Sequence, residues 1–424
     1  MINTRFSKLI TLVRYVNDKG FFHLLSANFL IQVVAFASQL FVAGILSPED
    51  IGRIKIIQIF LSVFSIIAGL GFNASTLKLC SENRTKIEEQ RIFRSAVIFT
   101  ISSTLILYVI VLILNAFNIF SADKLIKWLI PIGMFPLISN SVFMVFISYF
   151  QATKKIKLMS RLTMGNKIIS IGAIILLTYW LGIKGYYFAY NLSFILMVFV
   201  SFRMLRRDLS TQITGFNLKS LFPVHWQYAR SSMFANLLAE LSAYIDILLI
   251  NYLITDRPSI GQYSFALTLT VALRIIPATV QQIATPYFSG HSHSKVDFLK
   301  VFRKYNKLLY LVVFGTLIPA LFIVPPAISF IFAGKYDAAM PYFMILATGW
   351  SIRQLTQLQS GAIFGLGKIK FNAYTALFSL AFNVIIYPVF IYFWGIKGAA
   401  FANIPSALFI LVVSYLYFRK ALKE

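Results

Sequence analysis

Four ionisable side chains, Glu240, Asp246, Arg274 and Arg353, stand in stretches otherwise apolar enough to cross a bilayer. A charge at that depth costs from about 2.5–3.5 kcal/mol on insertion scales to several times more in simulations, so such groups face a cavity or a partner and not lipid. Arginine stays charged there and offers paired planar donors, the chemistry that holds a phosphate or diphosphate. At about 1.5 Å of rise per residue, Arg274, Arg353 and Glu240 fall near the middle of their segments and Asp246 nearer the outer end.

Helical periodicity then groups their neighbours. Thr270, Arg274 and Gln281 share one face, Trp350, Arg353, Gln357 and Ser360 a second, and Asn28, Gln32 and Gln39 a third. These faces are expected to line one polar cavity, with Trp350 either stacked on substrate or serving as an ordinary core or interfacial residue. Glu240 has two readings: a titratable or cation-coordinating group that couples transport to an ion gradient, or a partner that pairs with an arginine to hold two helices. Asp246 is the second candidate for ion coupling, but it points about 120° away from Glu240, which favours a structural contact.

The elements that carry these residues follow from composition. Only 12% of the 424 residues are charged, against about 25% in a soluble globular chain. Apolar runs longer than about 18 residues recur throughout. Spans are predicted over 22–45, 56–79, 95–117, 128–150, 161–181, 186–204, 231–254, 261–288, 306–332, 341–365, 371–393 and 397–418. The chain is thus expected to be an all-α integral membrane protein of about twelve transmembrane helices. The apolar run after the basic first 20 residues is too long for a signal peptide and reads as an uncleaved span.

The net charge of +25 is dispersed between the apolar segments and not gathered in a patch, which argues for membrane topology and against nucleic acid. The connections on the side of the termini carry 29 of the 39 Lys and Arg residues; the opposite connections carry eight, Arg53 and Lys55 among them. That bias predicts both termini in the cytoplasm of a bacterial inner membrane. A single cysteine, Cys80, excludes an intramolecular disulfide and a Cys-based zinc cage. His291 and His293 read as solvated loop residues and not as metal ligands.

An internal repeat divides the chain. Lys155-Ile156-Lys157 and Gly182-Ile183-Lys184-Gly185 recur 213 residues later as Lys368-Ile369-Lys370 and Gly395-Ile396-Lys397-Gly398. Asn28 and Gln32 correspond to Asn236 and Glu240, and SPEDIG aligns with RPSIGQ. Both halves start on the same side, so the repeat is parallel: a six-helix lobe over 1–207, a cytoplasmic linker over 208–227 containing Pro223, and a second six-helix lobe over 228–424. Lobes so related enclose a central cavity that opens alternately to each side.

Three segments carry a family resemblance. LFVAGILSPEDIGRIKI resembles the Leu-(Gly/Ser)-Pro-Glu-x-(aromatic/aliphatic)-Gly turn of polysaccharide flippases, with Ile51 where an aromatic is more usual. Residues 244–290, from YIDILL to the closing FSG, resemble the start of their second lobe, and GIKGAAFA is similar to the opening of their last helix. The resemblance covers nearly the whole chain and points to the multidrug/oligosaccharidyl-lipid/polysaccharide exporter superfamily. It implies a flippase for undecaprenyl-diphosphate-linked oligosaccharide, such as an O-antigen repeat unit. Arg274 and Arg353 would then hold the diphosphate, and Asn28, Gln32, Gln39, Gln281 and Gln357 the sugar hydroxyls. The N-terminal lobe is expected to hold no intramembrane charge. Beyond membrane lipids, a polysaccharide polymerase and a chain-length regulator are expected partners. No cofactor is expected, and a proton or sodium gradient is the expected drive.

The alternative is a multidrug and toxin exporter of the same superfamily, whose usually cationic substrates suit Glu240 better than two arginines. Against a membrane glycosyltransferase or polymerase stand the short external loops and the absence of a paired-Asp motif in a soluble segment. No GxxxxGK[ST] segment supports an ATP-driven pump. The chain is not expected to be an enzyme.

Overall fold

A computed structural model describes residues 21–82, 84–205, 218–291 and 293–424, except for the side chains of 21–30 and 286. The basic N-terminal segment, the Asn28 side chain and linker residues 208–217 lie outside the described residues.

The helices are α1 (Phe21–Ile45), α2 (Pro48–Ala68), α3 (Phe72–Cys80), α4 (Lys86–Ala116), α5 (Lys124–Met134), α6 (Pro136–Ala152) and α7 (Ile156–Leu205) in the first half. The second half holds α8 (Leu218–Leu253), α9 (Arg257–Gly290), α10 (Lys295–Ile331), α11 (Met340–Gln354), α12 (Gln357–Gly365) and α13 (Lys370–Ala421). Three spans are interrupted helix pairs, α2–α3, α5–α6 and α11–α12, while α7 and α13 each bend into two spans. The result is twelve spans in two lobes of six among the described residues.

The bends in α7 and α13 explain the 213-residue repeat. Gly182 has φ 59°, ψ −142° and Gly395 has φ 56°, ψ −138°. This region is open essentially to glycine alone, so the same glycine turns the chain back in both lobes.

Several helices begin earlier than hydropathy predicts, because a helix capped outside the hydrocarbon continues through polar residues. α2 starts at Pro48 and not at 56: the Ser47 side chain accepts from the Asp50 N–H at 3.2 Å, and Pro48 occupies the first turn. α4 starts at Lys86 behind a Thr85–Glu88 capping box. α8 starts at Leu218, so residues 218–227 of the predicted linker are helical and packed on the first lobe.

His225 fixes that packing. Its ring is fully buried, with Nδ1 2.8 Å from the Ser75 hydroxyl and Nε2 2.9 Å from that of Ser95. Phe72 and Phe99 meet it edge to face. His225→Ala removes both hydrogen bonds and leaves a cavity. It is expected to cost about 2–4 kcal/mol, read as a lowered Tm of the purified protein, while His225→Gln recovers part of the loss.

At one end the lobes are pinned together. α2 crosses α9 so closely that a Cβ on Gly52 would lie 3.0 Å from the Gly261 nitrogen, and one on Gly261 would overlap the Pro48 carbonyl. Around this crossing, Lys335 donates to the Ala43 and Gly44 carbonyls at 2.9 and 3.2 Å, capping the negative end of α1. The Tyr336 hydroxyl donates to Ala43 at 3.0 Å, and Asn251 and Tyr252 reach the Phe120 and Ile119 carbonyls at 2.6 and 2.9 Å. Asp123 accepts from Arg53 at 2.9 Å and lies 3.9 Å from Arg257 of the other lobe. Burial pushes the Asp123 carboxyl up, but the Arg53 bond, the Leu125 N–H and the charges of Arg53 and Arg257 more than offset this and hold it below its ordinary value. Its contribution is therefore present at neutral pH and is lost only as pH falls through that lowered value.

Candidate functional site

Away from this seal, α2 turns a polar stripe inward. Lys55, Gln58, Ser62, Ser65 and Gly69 follow one another at steps of three and four, one helix face, and all line cavities. A cavity of about 340 Å³ is bordered by Gln39, Lys55, Gln58, Lys167 and Thr268. A second, of about 380 Å³, is bordered by Lys55, Ser62, Asn140, Glu240 and Tyr244. A narrow cleft of about 20 Å³ joins Lys55 and Tyr244 to Thr270, Arg274 and Trp350. Lys55 borders all three, and its ammonium sits 5.5 Å from the Tyr244 ring centre.

Charge is concentrated near Lys55. Lys55 interacts electrostatically with Asp246 and Glu240. Arg274 is exposed to the cleft. Arg353 donates to the Ser242 carbonyl at 3.4 Å, and its guanidinium carbon lies 5.5 Å from the Trp350 ring centre. Glu240 borders the same cavity as Ser62 and feels the charges of Arg274 and Lys55. Among the described residues no ion pair ties Glu240 to an arginine. Asp246 is buried, and its Oδ2 accepts from the Tyr263 hydroxyl at 2.8 Å across α8 and α9. Three cations thus stand against two carboxylates, one of them held within the helix packing.

A sequence model of the polysaccharide biosynthesis protein family matches residues 18–291. The chain belongs to that family. No curated protein matches it at a significant level. Among solved structures, the fold is similar to "Lipid II flippase MurJ, inward closed conformation", with TM-score 0.78, 16% identity, 95% of this chain and 88% of that one covered. It is similar also to a point mutant of the Vibrio cholerae MATE transporter VcmN, with TM-score 0.67, 13% identity and coverage of 96% and 97%. An inward-facing multidrug resistance MATE family transporter of the MOP superfamily follows with TM-score 0.69, 12% identity and coverage of 93% and 96%. At these identities the likeness shows the fold alone: this family member folds as those structures do.

The fold brings only part of the predicted set together. Arg274, Thr270 and Trp350 share the cleft, Arg353 abuts Trp350, Glu240 faces the second cavity and Gln39 the first. Gln281 is displaced towards α12, where its Cγ comes within 3.5 Å of a Cβ built on Gly361. Gln357 does not continue the Arg353 face, because the helix breaks between Gln354 and Gln357, and it hydrogen-bonds Gln354 instead. Gln32 lines none of the three cavities.

Two expectations are corrected. Hydropathy places Lys55 in an external connection, but the early start of α2 carries it inside. The first lobe therefore does hold intramembrane charge, since Lys55 and, on α7, Lys167 both border the cavity. The signal for Lys55 is the polar stripe at three- and four-residue steps, visible only once Pro48 and not 56 is taken as the helix start.

Proposed function

We propose that this chain flips an undecaprenyl-diphosphate-linked oligosaccharide, an O-antigen or related surface-polysaccharide unit, from the cytoplasmic to the outer leaflet of the bacterial inner membrane by alternating access. The observation that carries the reading is that Lys55 and Arg274 line one cleft, with Arg353 against its Trp350 wall, below the end at which the lobes are in contact. Cations at the cavity wall favour a diphosphate over the cationic substrates that suit multidrug exporters. Family membership and the fold shared with a structure titled a lipid II flippase support a lipid-linked substrate.

The basic connections put both termini in the cytoplasm, which makes the sealed end extracytoplasmic and leaves the cavity to load from inside. Glu240, facing the cavity beside Lys55, is the residue we assign to coupling with a proton or sodium gradient; Asp246 braces α8 against α9. A polymerase and a chain-length regulator would take the flipped unit onward.

The test is to delete the gene and measure lipid-linked oligosaccharide and surface glycan. Loss of surface glycan with completed units retained on undecaprenyl diphosphate facing the cytoplasm is expected. Normal surface glycan with new sensitivity to cationic dyes overturns the flippase in favour of an exporter.

A further inference from the structure

A fourth cavity, of about 300 Å³, adjoins the one bordered by Lys55 and Glu240 and shares Ser65, Ile66 and Asn140 with it. Its floor is the break between α2 and α3, where Gly69 and Gly71 expose backbone; its walls bring Asn73, Ser141 on α6 and Asn236 on α8. None of the described residues lining it is ionisable, in contrast to the neighbouring cavity with Lys55 and Glu240. Gly71 is held open by conformation, since its φ of 73° suits glycine and a Cβ there would strike the Ala229 backbone.

Two of the polar groups here are unspent. The Ser65 and Ser141 hydroxyl oxygens are buried with no hydrogen-bond partner, and the Ser141 side chain is itself only 6% exposed. Buried hydroxyls ordinarily find partners, and two without one in residues that line the cavity are free to turn towards a ligand seated in it. Amides and hydroxyls both donate and accept, as do sugar hydroxyls, whereas a diphosphate offers acceptors alone and an isoprenoid chain neither. Ten residues of helix, roughly 15 Å, separate Lys55 from Ser65, so a group seated here stands beyond one held at the cations.

We infer that this amide-lined cavity is the seat of a neutral glycan unit of the substrate, separate from the diphosphate site at Lys55, Arg274 and Arg353. The inference rests on the flippase reading and divides its cavity into a charge-reading part and a hydroxyl-reading part. Specificity for the glycan would then lie with Asn73, Ser141 and Asn236, and tolerance for any polyprenyl diphosphate with the cations.

The experiment uses the purified full chain and two probes: undecaprenyl diphosphate alone, and the glycolipid extracted from the strain deleted for this gene. Asn73→Leu and Ser141→Val are compared with wild type by native mass spectrometry or tryptophan quenching. Each variant is expected to lose at least tenfold in affinity for the glycolipid and to bind undecaprenyl diphosphate within twofold of wild type. Equal loss on both lipids, loss on neither, or a wild type that binds the two lipids alike overturns the glycan seat while leaving the flippase standing. A wild type that binds neither lipid overturns both.

Discussion

Replacing Arg274 by glutamine is expected to cut surface polysaccharide at least tenfold while leaving the protein as stable as wild type. Arg274 is exposed to the cleft, and among the described residues no hydrogen bond or ion pair ties it to the helices around it. A structural role would show as instability; a substrate role shows as lost transport alone. A hydrogen bond to a charged group contributes about 1.5–3 kcal/mol, which is about ten- to 150-fold in an equilibrium constant. Arg353→Gln adds a second loss of similar size, though part of it is structural because Arg353 also holds the Ser242 carbonyl. The double variant is expected to be silent in a complementation assay. Lys55 borders the same cleft as Arg274, so Lys55→Gln belongs in the series. Its removal also leaves Asp246 with less compensating charge, so a lower Tm accompanies its loss of transport. Normal polysaccharide in the Arg274 and Arg353 variants, with folding verified, would sink the anionic-site mechanism.

Gly261→Val is expected to prevent the sealed end from closing. The Gly261 Cβ position overlaps the Pro48 carbonyl, and the Gly52 Cβ position touches the Gly261 nitrogen and Cα at 3.0 and 3.1 Å. Backbone cannot step aside as a side chain does, so the lobes must part, at a cost of about 1–3 kcal/mol or more for the closed arrangement. That is enough to shift a two-state equilibrium by one to two orders of magnitude. Ser121, buried in the seal beside Arg257, reports the change. In a Ser121→Cys background, a membrane-impermeant maleimide is expected to label the Gly261→Val protein at least ten times faster than the parent, and transport stops because the cycle cannot return. Gly315→Val is the control, since a Cβ there meets nothing within 4 Å. Equal labelling of parent and variant would show that the crossing does not govern access.

Much of the architecture was legible without coordinates. Long apolar runs located the spans, and the 213-residue recurrence of Gly-Ile-Lys-Gly foretold two parallel lobes; Gly182 and Gly395 then adopt nearly the same torsions. Arg274, Arg353 and Glu240 stood out because a charge amid apolar residues has few inexpensive places to go. The boundaries were less legible, for a physical reason. Hydropathy reports where a helix crosses hydrocarbon, whereas caps such as Ser47 and Thr85 decide where it begins.

Tertiary structure alone decided which side chains share a space. Whether Lys55 meets Glu240 and Asp246 depends on α2 packing against α8 almost two hundred residues away, and no local period encodes that distance. The break after Gln354 turned Gln357 off the arginine face. The Gly52–Gly261 crossing exists only because two turns from different lobes come together. What the chain determined by itself is each helix and its polar residues, through periodicity and the cost of burying charge; what folding added is the cavity and its seal, because contacts between distant helices arise from three-dimensional packing.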